Sequence, residues 1–312
     1  MRLIFCGTPE FAVPTLEALL KHGHDVSLVL TQPDRPAGRR MEMQQSAVKR
    51  AAISHGLRVL QPEKIKRNED LHAELETIRP DAIIVVAYGR IIPEWMLTLP
   101  RFGNINLHGS LLPKYRGAAP IQWAVANGET ETGVTTMQLD AGLDTGDVLL
   151  ERRLAVGPDA TAAELYPQLA SIGAELMIET LDGLEQGTVR PREQDDSQAT
   201  LAPILTREDG RMELERRTAR EVYDRWRGFS PWPGAHAEFR GKRFLVHRMH
   251  RLDSGAAELA AGELALVDGA LVVAAADRGQ LVLDEVQMEG KARMPGAQFA
   301  KDFQLRRGER LA

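Results

Sequence analysis

The stretch Arg2-Leu-Ile-Phe-Cys-Gly-Thr-Pro-Glu-Phe-Ala-Val-Pro-Thr-Leu-Glu-Ala-Leu-Leu-Lys21, followed closely by Asp25-Val-Ser-Leu-Val-Leu-Thr31, decides the fold class. Residues 2–6 are a short apolar block closed by Gly7 and Pro9, which predicts a buried strand. Residues 11–21 carry apolar side chains at helical spacing, and residues 25–31 read as a second strand. Strand, helix and strand in succession make a βαβ unit, the building block of a parallel sheet. The first turn is not G-x-G-x-x-G, so the glycines that let a backbone approach a pyrophosphate are missing. The reading is a Rossmann-like α/β sheet, mostly parallel with helices on both faces, without dinucleotide binding.

Residues 57–60 and 81–88 predict further strands, the second a continuous apolar run of the kind buried on both faces of a parallel sheet. Next comes Asn104-Ile-Asn-Leu-His-Gly-Ser-Leu-Leu-Pro113. Ile105 and Leu107 alternate with Asn106 and His108, so a strand here sends the apolar pair to one face and the polar pair to the other. Gly109 and Pro113 end it, which places both polar side chains at the C-terminal edge, where open α/β sheets hold ligands. An amide N–H beside an imidazole can stabilise negative charge on a carbonyl oxygen, and the imidazole can also move a proton. Residues 118–127 predict a helix, and residues 133–139 and 148–154 predict strands flanking a loop at 140–147.

Around this strand stand Ser110-Leu-Leu-Pro-Lys-Tyr-Arg-Gly-Ala-Ala-Pro120, Asp140-Ala-Gly-Leu-Asp-Thr-Gly-Asp147, Gly7-Thr-Pro-Glu-Phe-Ala12, Thr31-Gln-Pro-Asp-Arg-Pro-Ala-Gly38 and Met294-Pro-Gly-Ala-Gln-Phe299. Together they resemble the formyltransferases that use 10-formyltetrahydrofolate, over nearly the whole chain, and the members acting on initiator methionyl-tRNA match best. The resemblance implies formyl transfer from 10-formyltetrahydrofolate to the α-amine of methionine on that tRNA, for translation initiation. It implies Asn106, His108 and Asp144 as catalytic residues, the carboxylate fixing the imidazole and favouring its charged form. It implies Tyr88, Gly89, Arg90, Ser110, Leu111, Leu112, Pro113, Leu139 and Asp140 around the folate, partly through backbone groups. By their residue types Asp140 and Asp147 also suit the turn itself.

In tRNA-directed members the loop at 32–45 enters the acceptor end, which makes Arg35, Arg39, Arg40 and, on the following helix, Lys49 candidate tRNA contacts. This chain departs from the usual run, which carries further lysines and a Pro-Ser-Pro. It has Arg40-Met-Glu-Met-Gln-Gln-Ser-Ala47, where Glu42 removes positive charge and Met41 and Met43 offer adaptable apolar contact.

Thr161-Ala-Ala-Glu164 is a capping box opening a helix to about residue 184, and residues 191–203 read as a link out of the first domain. A second capping box, Thr218-Ala-Arg-Glu221, opens a short helix. Beyond Pro233 come five short segments rich in Val, Leu and Phe, at 235–240, 242–250, 263–267, 270–275 and 280–286, which suggest a small barrel. The family carries an oligonucleotide-binding-like (OB-like) barrel there. The expected division is a catalytic domain at 1–190, a linker at 191–207 and a tRNA-binding barrel at 208–312. Lys242, Arg243, Lys291 and Arg293, with Arg248 and Arg251, are its candidate RNA contacts. Trp226 and Trp232 read as core or hinge residues.

Composition agrees with two globular domains: 312 residues, 43% hydrophobic and 27% charged. The net charge of −5 is uneven, −7 over residues 1–205 and +2 over 206–312, so the C-terminal part is relatively basic. A single cysteine, Cys6, allows no internal disulfide and no multi-cysteine metal site, and it reads as a buried inert thiol. The eight histidines show no H-E-x-x-H or similar ligand spacing, so no metal is expected. The first apolar run is too short for a signal peptide or membrane span, and a cytoplasmic monomer is expected.

Two rivals stand beside this reading. One is a folate-dependent formyltransferase acting on an amino-sugar nucleotide or glycinamide ribonucleotide; the barrel-like tail favours tRNA. The other is a non-catalytic RNA- or folate-binding protein, which has no need of Asn106, His108 and Asp144 together. Gly109-Ser110-Leu111 lacks the G-x-S-x-G elbow of a serine hydrolase.

Overall fold

The computed structural model describes residues 1–37, 42–252 and 258–312. The chain divides into two compact units. The first comprises Met1–Pro120, Glu131–Ala155 and Tyr166–Pro203; the second comprises Ile121–Thr130, Val156–Leu165 and Ile204–Ala312.

The first unit begins β1 (Arg2–Gly7), α1 (Val13–Lys21), β2 (Asp25–Leu30), β3 (Arg35–Ala37), β4 (Glu42–Gln44), α2 (Ala47–Ser54), β5 (Val59–Leu60), α3 (Glu69–Ile78), β6 (Ala82–Val86), α4 (Glu94–Leu97), β7 (Asn104–His108) and β8 (Arg116–Gly117). In chain order there follow α5 (Pro120–Ala126), which from Ile121 belongs to the second unit, β9 (Glu131–Gln138), β10 (Val148–Ala155), α6 (Ala162–Gln186), which belongs to the first unit from Tyr166, and β11 (Leu201–Ala202). One sheet has the order β10-β9-β7-β6-β1-β2-β5. β7, β6, β1, β2 and β5 run parallel, while β9 and β10 add an antiparallel edge. β6 is buried along its whole length, as its unbroken apolar sequence requires. On one face Ile4, Cys6, Leu28, Leu30, Ile83 and Val85 pack with Leu71 and Leu75 of α3 and Met96 of α4. Leu107 points to the other face, where it meets α6 at Gly173. Cys6 is fully buried, and desolvation pushes its thiol well above the ordinary range, so it is inert as read from the sequence.

Two expectations change here. The stretch 32–45 is not all loop, because Arg35–Ala37 and Glu42–Gln44 pair as an antiparallel hairpin. The expected linker at 191–207 is packed onto the first unit as far as Pro203: Arg192 bridges Val148, and β11 pairs in parallel with β8. Backbone pairing of two-residue segments leaves no periodicity for a sequence reading to find.

In the second unit, α7 (Ala219–Phe229) starts at the expected capping box, with Thr218 and Glu221 bonded reciprocally. Strands β12 (Ala235–Phe239), β13 (Lys242–Arg251), β14 (Leu264–Val267), β15 (Ala270–Ala274) and β16 (Gln280–Met288) form an antiparallel sheet in the order β12-β13-β16-β15-β14, with β17 (Met294–Pro295) on β16 and α8 (Gly296–Asp302) after it. The sheet closes through residues 309–312. Glu238 and Ala312 exchange two backbone hydrogen bonds, while Leu264 donates to Glu309 and Leu311 to Gly262. β12 and β14 are thus joined by a short segment, which caps both edges. Phe299 of α8 is fully buried and stacks on Phe303, with Phe239 and Phe244 edge-on to it. Gly296 is required by space: a Cβ there would lie 2.0 Å from the Leu283 carbonyl oxygen. Trp226 is core, as expected, whereas Trp232 is 55% exposed in a turn between prolines and belongs to no core.

Candidate active site

His108 is the last residue of β7, opposite Thr135 of β9. Its Nε2 lies 2.9 Å from the Tyr115 carbonyl oxygen. A carbonyl only accepts, so Nε2 carries a proton and the ring is fixed. Nδ1 then faces Asp144, whose Oδ2 is 3.6 Å away, and the two side chains are only 7% and 15% exposed. At 3.6 Å the contact is electrostatic rather than a hydrogen bond, and screening is weak at such burial. The carboxylate is anchored elsewhere, because Oδ2 accepts the Gly117 N–H at 2.8 Å.

Asn106 sits two residues earlier on the same face. Its Nδ2 donates to the Val85 carbonyl of neighbouring β6 at 3.2 Å, and its Oδ1 is buried with no partner. An unpaired buried acceptor costs about 1–3 kcal/mol. The cost is intelligible if a ligand N–H fills the vacancy. The strand end therefore carries an amide and an imidazole on one face, with a carboxylate 3.6 Å from the imidazole Nδ1.

The loop between β7 and β8 is knitted from within. Ser110 Oγ donates to the Lys114 carbonyl at 2.6 Å, and Thr135 Oγ1 donates to the Ser110 carbonyl and accepts the Leu112 N–H. Tyr115, at φ 63°, donates its N–H to Thr200 Oγ1. Gly117 has φ 125°, and a Cβ there would stand 2.6 Å from the Ala202 carbonyl oxygen, so no other residue fits without moving β11. Asp144 is also left-handed, at φ 53°, a conformation that costs a non-glycine residue on the order of 1 kcal/mol. Gln194 holds it there: Nε2 donates to the carbonyls of Asp144 and Gly146 at 2.9 and 2.6 Å, while Arg116 donates twice to its Oε1. Arg116 is 7% exposed and also reaches Asp196. Tyr115, Arg116, Gly117 and Gln194 were missing from the residues singled out by sequence. The first three lie inside a quoted motif, but Gln194 stands alone between charged residues with no local signal.

The expected folate residues divide. Tyr88 is 1% exposed with its hydroxyl in the core, where burial raises the hydroxyl pKa, so its side chain is no part of an open site. Its carbonyl accepts from Thr8 and Gln32, and Gln32 also reaches the Gly89 carbonyl. Among the described residues, no backbone carbonyl takes the N–H of Gly89 or Arg90. The Arg90 guanidinium turns to the Glu63 carbonyl. Leu112 is 4% exposed and packs on Met137 and Val148, so it supports the loop from below. Leu111 and Pro113 are partly exposed, and Leu139 donates its N–H to Asn104. Asp140 serves the turn: its carboxylate accepts from the Gly142 N–H and the Thr145 hydroxyl.

A cleft of about 470 Å³ opens where the ends of β1, β2 and β6 meet the β3–β4 hairpin, lined by Thr8, Gln32, Arg35, Gln44, Ala87 and Gly89 among others. Arg35 borders this cleft; Arg39 and Arg40 lie outside the described residues. Lys49 does not offer a free charge, because its Nζ is 2.6 Å from Asp34, which also accepts from Gln61. The Lys49 hydrogen bond holds the Asp34 carboxyl below its ordinary range. On the second unit, the pairing of Phe244 with Met288 brings Lys242 and Arg243 to the same end of the sheet as Lys291. Glu289 binds the Arg243 N–H there, and Arg293 lies 4.0 Å from Glu285, so carboxylates interleave with these cations.

Comparison with known proteins identifies the family. Residues 1–181 match the family described as "Formyl transferase", and residues 204–304 match "Formyl transferase, C-terminal domain". The chain is 60% identical to the methionyl-tRNA formyltransferase of Acidobacterium capsulatum, covering 100% of this chain and 99% of that protein. It is 54% identical to that of Koribacter versatilis, covering 100% and 98%. Among solved structures, HypX from Aquifex aeolicus in complex with tetrahydrofolic acid has a TM-score of 0.64 at 21% identity, over 98% of this chain and 48% of that one. The N-formyltransferase from Helicobacter canadensis has a TM-score of 0.67 at 17% identity, over 92% and 98%. At such identities the two structures speak to the fold alone. The full-length match of both parts, with the relatives' identity, assigns the chain to the formyl transferase family.

Proposed function

We propose that this chain transfers the formyl group of 10-formyltetrahydrofolate to the α-amino group of methionine on initiator methionyl-tRNA. The observation that carries the reading is that Asn106 and His108 share one face at the end of β7, with the Asp144 carboxylate 3.6 Å from His108 Nδ1. The full-length relatives named for this activity support the acceptor. The folate supplies a formyl carbonyl on a nitrogen that can leave. The unpaired Oδ1 of Asn106 and the unspent Nδ1 of His108 fit that carbonyl and an attacking amine.

The free amine attacks the formyl carbon, forming a C–N bond as the carbonyl electron pair moves onto oxygen. The second Nδ2–H of Asn106 and a proton on His108 Nδ1 hold that oxygen, and Asn106 Oδ1 accepts an N–H of the attacking amine. When the carbonyl reforms, the bond to the donor nitrogen breaks, and the proton given up by the amine passes to that nitrogen. Asp144, beside Nδ1, stabilises the charged ring while this proton moves, with water as the relay. No residue forms a covalent bond. Each oxyanion donor in such a site contributes about 3 kcal/mol to lowering the barrier.

For the folate ring, the N–H groups of Gly89 and Arg90 and the partly exposed Leu111 and Pro113 form the supporting frame. For the tRNA, Arg35 at the cleft and Lys242 and Lys291 on the barrel are the contacts we favour, with the second unit as the RNA-binding domain. A cytoplasmic monomer suffices for this chemistry, since every proposed group comes from one chain. The test is one assay with purified protein and 10-formyltetrahydrofolate, offering charged initiator methionyl-tRNA, free methionine and an amino-sugar nucleotide. Formyl label is expected on the charged tRNA alone. Label only on the sugar nucleotide would overturn the acceptor, and no transfer to any of the three would overturn the enzymatic reading.

A further inference from the structure

We propose that His22, His24 and Asp182 form a binding site for one Zn²⁺ ion on the first unit, at the sheet edge opposite the catalytic loop. His22 caps the C-terminus of α1 and His24 immediately precedes β2, while Asp182 comes from α6, far away in sequence. One donor atom from each lies within 4.8 Å of the others. His22 Nε2 stands 3.3 Å from an Asp182 carboxylate oxygen. That contact is a hydrogen bond, and its length is close to the roughly 3.4 Å that separates two ligand atoms on tetrahedral zinc with bonds of about 2.0–2.1 Å.

His24 supplies the independent observation. It is only 9% exposed, its Nδ1 faces the Met1 amino group at 3.4 Å, and its Nε2 is sealed from solvent with no partner. His24 thus brings a buried, unpaired ring nitrogen to the cluster. Burial, the Met1 amino group and His22 lower the His24 pKa, which keeps the ring neutral and able to act as a ligand, while Asp182 and Glu185 supply the opposing negative charge. Two imidazoles and a carboxylate suit zinc, with water as the fourth ligand. Spacing along the sequence could not mark the site, because Asp182 is distant and His22-Gly-His24 matches no ligand motif. The site lies away from Asn106 and His108, so the ion acts as a clip between α6 and the α1–β2 turn and takes no part in the transfer.

The experiment is calorimetric titration of the purified full chain with ZnCl₂, repeated on His22→Ala, Asp182→Asn and, as a control outside the cluster, His55→Ala. Binding of one ion per chain is expected, weakened at least tenfold in the first two variants and unchanged in the third. A Zn²⁺-dependent rise in Tm should appear in the wild type and in His55→Ala only. Substitution by Co²⁺ should give the absorption of a tetrahedral nitrogen and oxygen site. Circular dichroism confirms that each variant is folded. Absence of binding to the wild type, or equal binding by His22→Ala and Asp182→Asn, would overturn the proposal.

Discussion

His108→Ala is expected to lower kcat by about two to three orders of magnitude, the usual effect of removing one donor from an oxyanion site. The ring contributes Nδ1 to the developing charge and is held in place by the Tyr115 carbonyl, so its loss removes an interaction made chiefly in the transition state. KM for the folate should therefore change little, and circular dichroism should show a folded protein. Asn106→Ala should behave alike, because it removes both a donor and the unpaired acceptor Oδ1. The measurement is single-turnover transfer at saturating donor and charged tRNA. Near-normal turnover in either variant would reject the assignment.

Asp144→Asn is expected to lower kcat by about a hundredfold or more, within the range for disabling a proton-transfer group. The amide can still accept the Gly117 N–H, and His108 keeps its Tyr115 contact, so the scaffold stays assembled while the charge facing Nδ1 disappears. Gln194→Ala separates charge from placement. It leaves the carboxylate intact but frees the left-handed backbone of Asp144 and removes two hydrogen bonds from the buried guanidinium of Arg116, which keeps Asp196. Its kcat should fall by a smaller factor than that of Asp144→Asn, with a lower Tm. Rescue by Gln194→Glu is expected to be poor, because two carbonyls then lose their donor. A Gln194→Ala enzyme with wild-type kcat and Tm would show that Asp144 holds its own conformation.

The parallel sheet was legible because its strands are continuous apolar runs, and β6 is the plainest case. The placing of Asn106 and His108 on one face at the end of a strand was legible because they alternate with apolar neighbours immediately before Gly109. What escaped has a common physical cause, since its partners are far apart and carry no periodicity. Gln194 meets Asp144 from 50 residues away, and the buried Arg116 has its donors taken by Gln194 and Asp196, 78 and 80 residues away. The segment 191–203 is rich in proline and polar residues, the composition of a link, yet its backbone pairs with β8. The segment 309–312 carried no strand signal, and its backbone bonds to Glu238, Gly262 and Leu264 give it its place between β12 and β14. The ion pair of Lys49 with Asp34 was likewise not legible, since the two lie 15 residues apart with no motif between them.

The most direct measurement of all is a crystal structure of the enzyme with a non-transferable formyl-folate analogue. The formyl oxygen should lie about 2.7–3.2 Å from both His108 Nδ1 and Asn106 Nδ2, with Asp144 still beside the imidazole. A formyl group seated where neither side chain can reach it, with the Asn106 oxygen still unpaired, would contradict the account.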